Sequence, residues 1–306
     1  MSSSSSSSSS SSCSRKAGSR CHLRSITLPS KSNPMIQSIE GELIKLRARE
    51  ESSTSTTETI NIGLSGLVDL YKSIDAVLSL PLTQQSLSLH QYERCIHGLL
   101  ETSLILLDTC SATRELVMQL KEVGRELGST LRRRKGDDDS SIEGHLTSYV
   151  SSRKRIAKSA NALASSLKRV DINFGTLDNA DHHRLSMLTK ALRCVTIINM
   201  SVYESLLFFL SMPVARPSKW SSVSRMLSKR VADCEEQAQK AHELRDVDVA
   251  IGALCRGNKV EGEKVQLAAK RLEILEAGME GIENGLDAMY RQLIRTRASL
   301  LNIMSS

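Results

Sequence analysis

Aromatic side chains are scarce in this 306-residue chain, at 3% of the total, and Trp220 is the one tryptophan. A β-rich core would want Tyr, Phe, Val and Thr at alternating positions, so the core must come from Leu, Ile, Val, Met and Ala, which favour helix-on-helix packing. Five prolines leave room for long uninterrupted helices. Acidic residues are missing from the first 39 positions, which hold Arg15, Lys16, Arg20, Arg24 and Lys31. The net charge of +7 therefore belongs to the N-terminus; 36 basic against 34 acidic residues remain beyond it. That location argues against a nucleic-acid face in the body of the protein. No cysteine pair forms a CxxC, and the seven cysteines (Cys13, Cys21, Cys95, Cys110, Cys194, Cys234, Cys255) are dispersed behind no secretory apolar region. The expectation is reduced thiols inside the cell, in the cytoplasm first, with chloroplast or nucleus as alternatives.

Catalytic signatures are missing too. There is no GxGxxG, Walker loop, GxSxG or HExxH. Of the histidines only His182 and His183, beside Asp178 and Asp181, form a compact group with metal-ligand character. Adjacent helical side chains diverge, so this group reads as a helix start rather than a metal site. No enzyme activity, cofactor or metal is expected.

What is present is mostly helical periodicity. A serine run, 2–12, opens a low-complexity segment that cannot bury enough apolar area to offset its ordering entropy, so 1–32 is expected to be a disordered basic tail. Its composition also suits an organelle transit peptide. Asn33-Pro34 makes a helix start, and Ile36, Ile39, Leu43 and Leu46 mark the first buried face. A linker is expected at 52–62. Leu64, Leu67, Leu70, Tyr71, Ile74, Val77 and Leu78 trace a second helix, stopped by Pro81.

The third helix alternates steps of four and three from Tyr92 through Ile96, Leu99, Ser103, Leu106, Cys110, Thr113, Val117, Leu120, Gly124 and Leu127 to Leu131. Further helices are expected around loops near 132–141, 171–181 and 211–218, one of them from about Ser218 to Cys255. The last helix has the cleanest pattern: Val265, Ala268, Leu272, Leu275, Met279, Ile282, Leu286, Met289, Leu293, Thr296, Leu300 and Ile303 fill successive a and d positions over about 57 Å. Thr296 is the polar exception. Such a stripe must be buried, either within a bundle or by self-association of two chains. The fold class is thus all-α: an elongated bundle of six or seven long, heptad-patterned helices over 33–306 behind the tail.

Several segments resemble one plant family. They include Arg24-Ser25-Ile26-Thr27-Leu28-Pro29, Gly66-Leu67-Val68-Asp69-Leu70-Tyr71, Leu80-Pro81-Leu82-Thr83-Gln84-Gln85 and Glu204-Ser205-Leu206-Leu207. The closing runs Ile282-Glu283-Asn284-Gly285-Leu286 and Leu293-Ile294-Arg295-Thr296-Arg297-Ala298 match best. From about residue 22 onward the chain is similar to the "domain of unknown function 241" family, related to the BYPASS proteins. The resemblance implies a helical land-plant protein without assigned catalysis, associated with root and shoot development. It supplies no catalytic residues, and the N-terminal serine tract departs from the family pattern.

Three candidate sites follow from the residues. Arg24, Ser25, Thr27 and Pro29 fit the phospho-dependent 14-3-3 ligand pattern with Thr27 as acceptor: a phosphothreonine supplies charge and acceptor oxygens for an Arg cluster, and proline turns the chain away. Arg132, Arg133, Arg134 and Lys135 with Arg153, Lys154 and Arg155 form two basic clusters flanking a turn. They are candidates for a joint patch toward nucleic acid, anionic lipid or an import receptor, although missing aromatics disfavour nucleic acid. Segment 194–215 is long enough to span a bilayer. Each Leu, Ile, Phe or Val gains about 0.3–0.6 kcal/mol on insertion, whereas Glu204 at mid-helix costs about 2.5–3.5 kcal/mol. Thr196, Asn199, Ser201 and Ser205 bring the balance near zero, which favours a buried helix over membrane association. The function expected is a helical scaffold or adaptor acting through its helix faces, with membrane-associated and nucleic-acid-associated roles as alternatives.

Overall fold

Helical periodicity translates directly into structure. The computed structural model describes residues 34–52, 55–133, 139–170, 183–213, 242–256 and 262–305. Among them run α1 (Pro34–Ser52), α2 (Thr57–Leu78), α3 (Pro81–Leu87), α4 (His90–Arg133), α5 (Asp139–Leu167), α6 (His183–Ser211), α7 (His242–Leu254) and α8 (Gly262–Ser305). No strand occurs among the described residues. The fold is all-α, and the two 44-residue helices α4 and α8 are each about 66 Å long. The expected tail, 1–32, lies outside the described residues.

Two boundaries differ from the periodicity reading. The linker expected at 52–62 is shorter, because α2 begins at Thr57. Thr56 and Thr59 form a reciprocal capping box there, the Thr56 side chain accepting from the Thr59 backbone and the Thr59 side chain from the Thr56 backbone. Pro81 ends α2 but also starts α3, where it sits at the first helical position behind extended Leu80. The seven-residue α3 is too short to show a periodicity. Of the helix expected from about Ser218, α7 is the described part, and 214–241 lies outside the described residues.

α8 packs against α2, α4 and α7, while α6 packs against α1, α2, α4 and α5. All twelve stripe residues of α8, Val265 through Ile303, are buried together with Gln292. The stripe is thus covered by helices of the same chain and is not a free surface for a second copy. Its register follows from small residues. A Cβ at Gly278 would stand 2.6 Å from Thr57 Oγ1, and one at Gly281 2.6 Å from Asn61 Nδ2. These glycines let α2 approach closely, and the pairs advance together along both chains, so α2 and α8 run parallel. Against α4 the order reverses: Lys121 reaches Glu283 at 2.7 Å and Arg114 reaches Asp287 at 2.5 Å. α4 and α8 are antiparallel.

Three buried threonine hydroxyls are satisfied locally. Thr102, Thr109 and Thr196 each donate to the carbonyl one turn back, at 2.8, 2.8 and 2.9 Å.

Candidate functional site

Two polar clusters interrupt the apolar interior. In the first, α2 places Tyr71 and Asp75 one turn apart, and α8 places Gln292 and Thr296 one turn apart. The parallel register brings the two turns level. Thr296 Oγ1 donates to Asp75 Oδ1 at 2.6 Å, and Gln292 Nε2 donates to Oδ2. Burial pushes the Asp75 carboxyl up, and the hydrogen bond from Thr296, the nearby Arg295 charge and Gln292 pull it back. Asn199 Nδ2 of α6 donates to Tyr71 Oη at 3.1 Å. Burial raises that phenol to about 12, outweighing the Asn199 bond. A void of about 20 Å³ lies among Tyr71, Ser103, Thr196 and Thr296, room for roughly one water molecule and no substrate.

The second cluster joins α5, α6 and α7. Arg153 is 0% exposed and Asp248 3%. The guanidinium donates through Nη1 to Leu210 O at 2.7 Å and through Nη2 to Met212 O at 2.8 Å, and its Nε lies 3.2 Å from Asp248 Oδ2. It therefore caps carbonyls that the end of α6 leaves open. Tyr149 Oη donates to the other Asp248 oxygen at 3.1 Å. Desolvation raises the Asp248 carboxyl to about 6, against the pull of Arg153 and then of Tyr149. α7 gains two more ties: Arg271 Nη1 of α8 donates to Asp246 O at 2.7 Å, and Thr57 Oγ1 donates to Glu243 Oε1 at 2.8 Å. The Glu243 carboxylate also accepts from the Thr57 backbone at the start of α2, where a negative charge is favourable.

This geometry corrects the basic-patch expectation. Arg153 is a buried fastening, not a surface cation, because its spacing from Tyr149 and Ile156, four and three residues, places it on the inward face of α5. Lys154 and Arg155 are exposed, as are Arg132 and Arg133 at the end of α4. Lys154 lies fifteen residues beyond the start of α5, about 22 Å along its axis, so the two clusters do not form one patch. Arg134 and Lys135 lie outside the described residues.

What α5 and the turn that ends it do expose is a longer basic face. Lys154, Arg155, Lys158, Lys168 and Arg169 are all exposed, and no acidic residue occurs from 144 to 170. The helical path continues through the last two, since Lys168 N donates to Ala164 O and Arg169 N to Ser166 O, both at 3.1 Å. At 100° per residue the five cations fall within an arc of about 140°. The exposed residues between them on this side, Asn161, Ala162 and Ser165, are small. Periodicity reading missed this face because the cations are spread over sixteen positions instead of forming a run.

The other candidates are placed as follows. Arg24, Ser25, Thr27 and Pro29 lie outside the described residues, as do Asp178, Asp181 and His182. α6 is long and apolar enough over Met187–Ser211 to cross a membrane, yet Val202, Tyr203, Leu206, Leu207, Phe209 and Leu210 are buried against its neighbours. A groove of about 540 Å³ between α4 and α8 is lined by His97, Glu101, Leu104, Arg297, Leu301 and Met304. Arg297 turns its guanidinium to Leu100 O and to Ser103 Oγ at 2.8 Å, away from chemistry in the groove. Cys110 is buried, its thiol pushed up to about 11 by desolvation, and it donates to Leu286 O at 3.4 Å.

No curated protein and no solved structure matches the chain significantly. A family model described as "Protein BPS1" matches residues 63–303, which takes in α3 to α7 whole, most of α2 and nearly all of α8. Membership of that plant family points to a regulator of development whose mechanism is open. With four-fifths of its length matched, the chain belongs to the BPS1 family.

Proposed function

We propose that the protein is a non-enzymatic helical adaptor in root and shoot development of plants, acting in the cytoplasm. The observation that carries this reading is the contrast between buried ionisable groups that are paired within the chain and an exposed basic face that is not. Asp75, Asp248 and Arg153 are buried ionisable groups held by the chain's own donors and acceptors, which is how structural groups, rather than catalytic ones, are arranged. The exposed cations Lys154, Arg155, Lys158, Lys168 and Arg169, by contrast, form no ion pair among the described residues. A stiff bundle with one chemically distinct face suits a protein that holds partners.

The tail supplies the control. Phosphorylation of Thr27 would add about −1.5 to −2 charges beside Arg24, creating a ligand for a 14-3-3 protein with Pro29 turning the chain out of the groove. Affinity capture from plant extract tests both parts. Stoichiometric partners retained by the intact chain support the adaptor, and 14-3-3 proteins retained by the intact chain but lost with Thr27→Ala support the switch. Recovery of 14-3-3 proteins unchanged by Thr27→Ala overturns the switch alone. Failure to retain any partner, or turnover of a substrate, overturns the adaptor.

A further inference from the structure

We infer that the basic face of α5 docks the protein on an anionic membrane surface. This rests on the reading of that face as the partner-binding surface and names its partner class. Lys154, Arg155 and Lys158 of α5 and Lys168 and Arg169 of the turn that ends it are exposed on one side and extend over about 22 Å. No carboxylate of α5 lies among them.

The chemistry of the face selects the partner. A stable protein interface needs an apolar, desolvated centre, and Ala162 is the sole exposed hydrophobic residue along this face. Single-stranded nucleic acid needs aromatic platforms; Tyr149, the aromatic residue of α5, is buried against Asp248. A duplex is read by an element that enters a groove, whereas α5 is flanked by α4 and α6 and offers one side only. A plane of lipid phosphates meets all five cations at once. The small residues between the cations leave the plane unobstructed. No large apolar group is present to insert, so binding is peripheral, driven by charge and screened by salt.

This attachment differs from insertion of α6. That helix remains in the bundle core, and the bundle need not open.

Co-sedimentation of the full chain with phosphatidylcholine vesicles, with and without phosphatidylserine, tests the inference. The wild type is expected to bind the phosphatidylserine vesicles alone and to be released by salt. The triple variant Lys154→Gln, Arg155→Gln, Lys158→Gln removes three cations, each contributing about five-fold to partitioning, so a loss of about 100-fold is expected. A control with the same change in net charge, Lys45→Gln, Lys72→Gln and Arg133→Gln, should change binding by less than about five-fold, because these exposed residues lie on other helices. Equal binding by the wild type and the α5 variant, or equal loss in the control, overturns the inference. So does preferential binding of duplex DNA over the vesicles at the same salt. If vesicles fail but partner capture from extract still depends on the α5 cations, the lipid assignment falls and the adaptor reading stands. If vesicle binding holds while no protein partner is ever captured, the adaptor reading falls instead.

Discussion

The α4–α8 seam and α5 handle charge in opposite ways. α4 and α8 each carry six acidic and six basic residues, and several are matched across the seam: Arg114 to Asp287, Lys121 to Glu283, Arg125 to Glu276. Beneath these pairs the buried positions of α8 are apolar from Leu275 to Met289. α5 with the turn that ends it instead buries one cation and exposes five. The seam draws its stability from burial that is non-directional, each enclosed Leu, Ile or Met contributing roughly 1.5–3 kcal/mol. The α5–α7 contact depends on a few directional bonds around Arg153. Burial of the first kind tolerates a changed side chain of similar volume, whereas the second kind fails as a unit.

The largest effect should come from breaking that unit. Arg153→Met leaves the Asp248 carboxylate and the carbonyls of Leu210 and Met212 without their cation, and a loss of about 3–5 kcal/mol is expected by urea denaturation. The double variant Arg153→Met, Asp248→Leu should recover much of it, since both buried charges are then gone. A single variant as stable as the wild type would place Arg153 outside the core and erase the contrast.

Next comes the pH dependence of the same cluster. Asp248 binds its proton more tightly in the folded chain, with its carboxyl raised to about 6 by burial, than in the unfolded one. Its contribution to stability is therefore full below about pH 4 and is lost as pH rises through about 6. The expected loss is on the order of 2–3 kcal/mol, and Asp248→Asn should remove that part of the pH profile. An unchanged profile in the variant would show that the carboxyl is solvated.

Glycine substitutions sharpen the comparison at smaller scale. Gly278→Ala forces a Cβ onto the Thr57 side chain and should lower stability by about 1–3 kcal/mol through overpacking. Gly144→Ala on α5 meets nothing within 4 Å and should raise it by up to about 1 kcal/mol. Thermal melts of the pair must move in opposite directions. Smallest of all, a double-mutant cycle on Arg125 and Glu276, both partly exposed, should give about 0.2–1 kcal/mol of coupling that fades with added salt.

Much of this architecture was legible before any coordinates. The a and d positions of α8 are buried as their spacing predicts, and Thr296, the polar exception in that stripe, marks the place where Asp75 crosses from α2. Asp75 itself gave no sign, because an aspartate on an amphipathic helix reads as solvated until its partner is known. Arg153 was misread because it sits in a run of three cations. Its position four residues after Tyr149 and three before Ile156 was the better guide.

Composition and periodicity determined the fold class and the long helices, because both depend on spacing along a single helix and on apolar residues in sufficient number to cover it. Which surface each stripe meets depends on contacts between residues up to 221 positions apart, which local pattern does not encode. The tertiary structure therefore decided that α8 closes on its own chain, that Arg153 turns inward, and that five scattered cations share one exposed face.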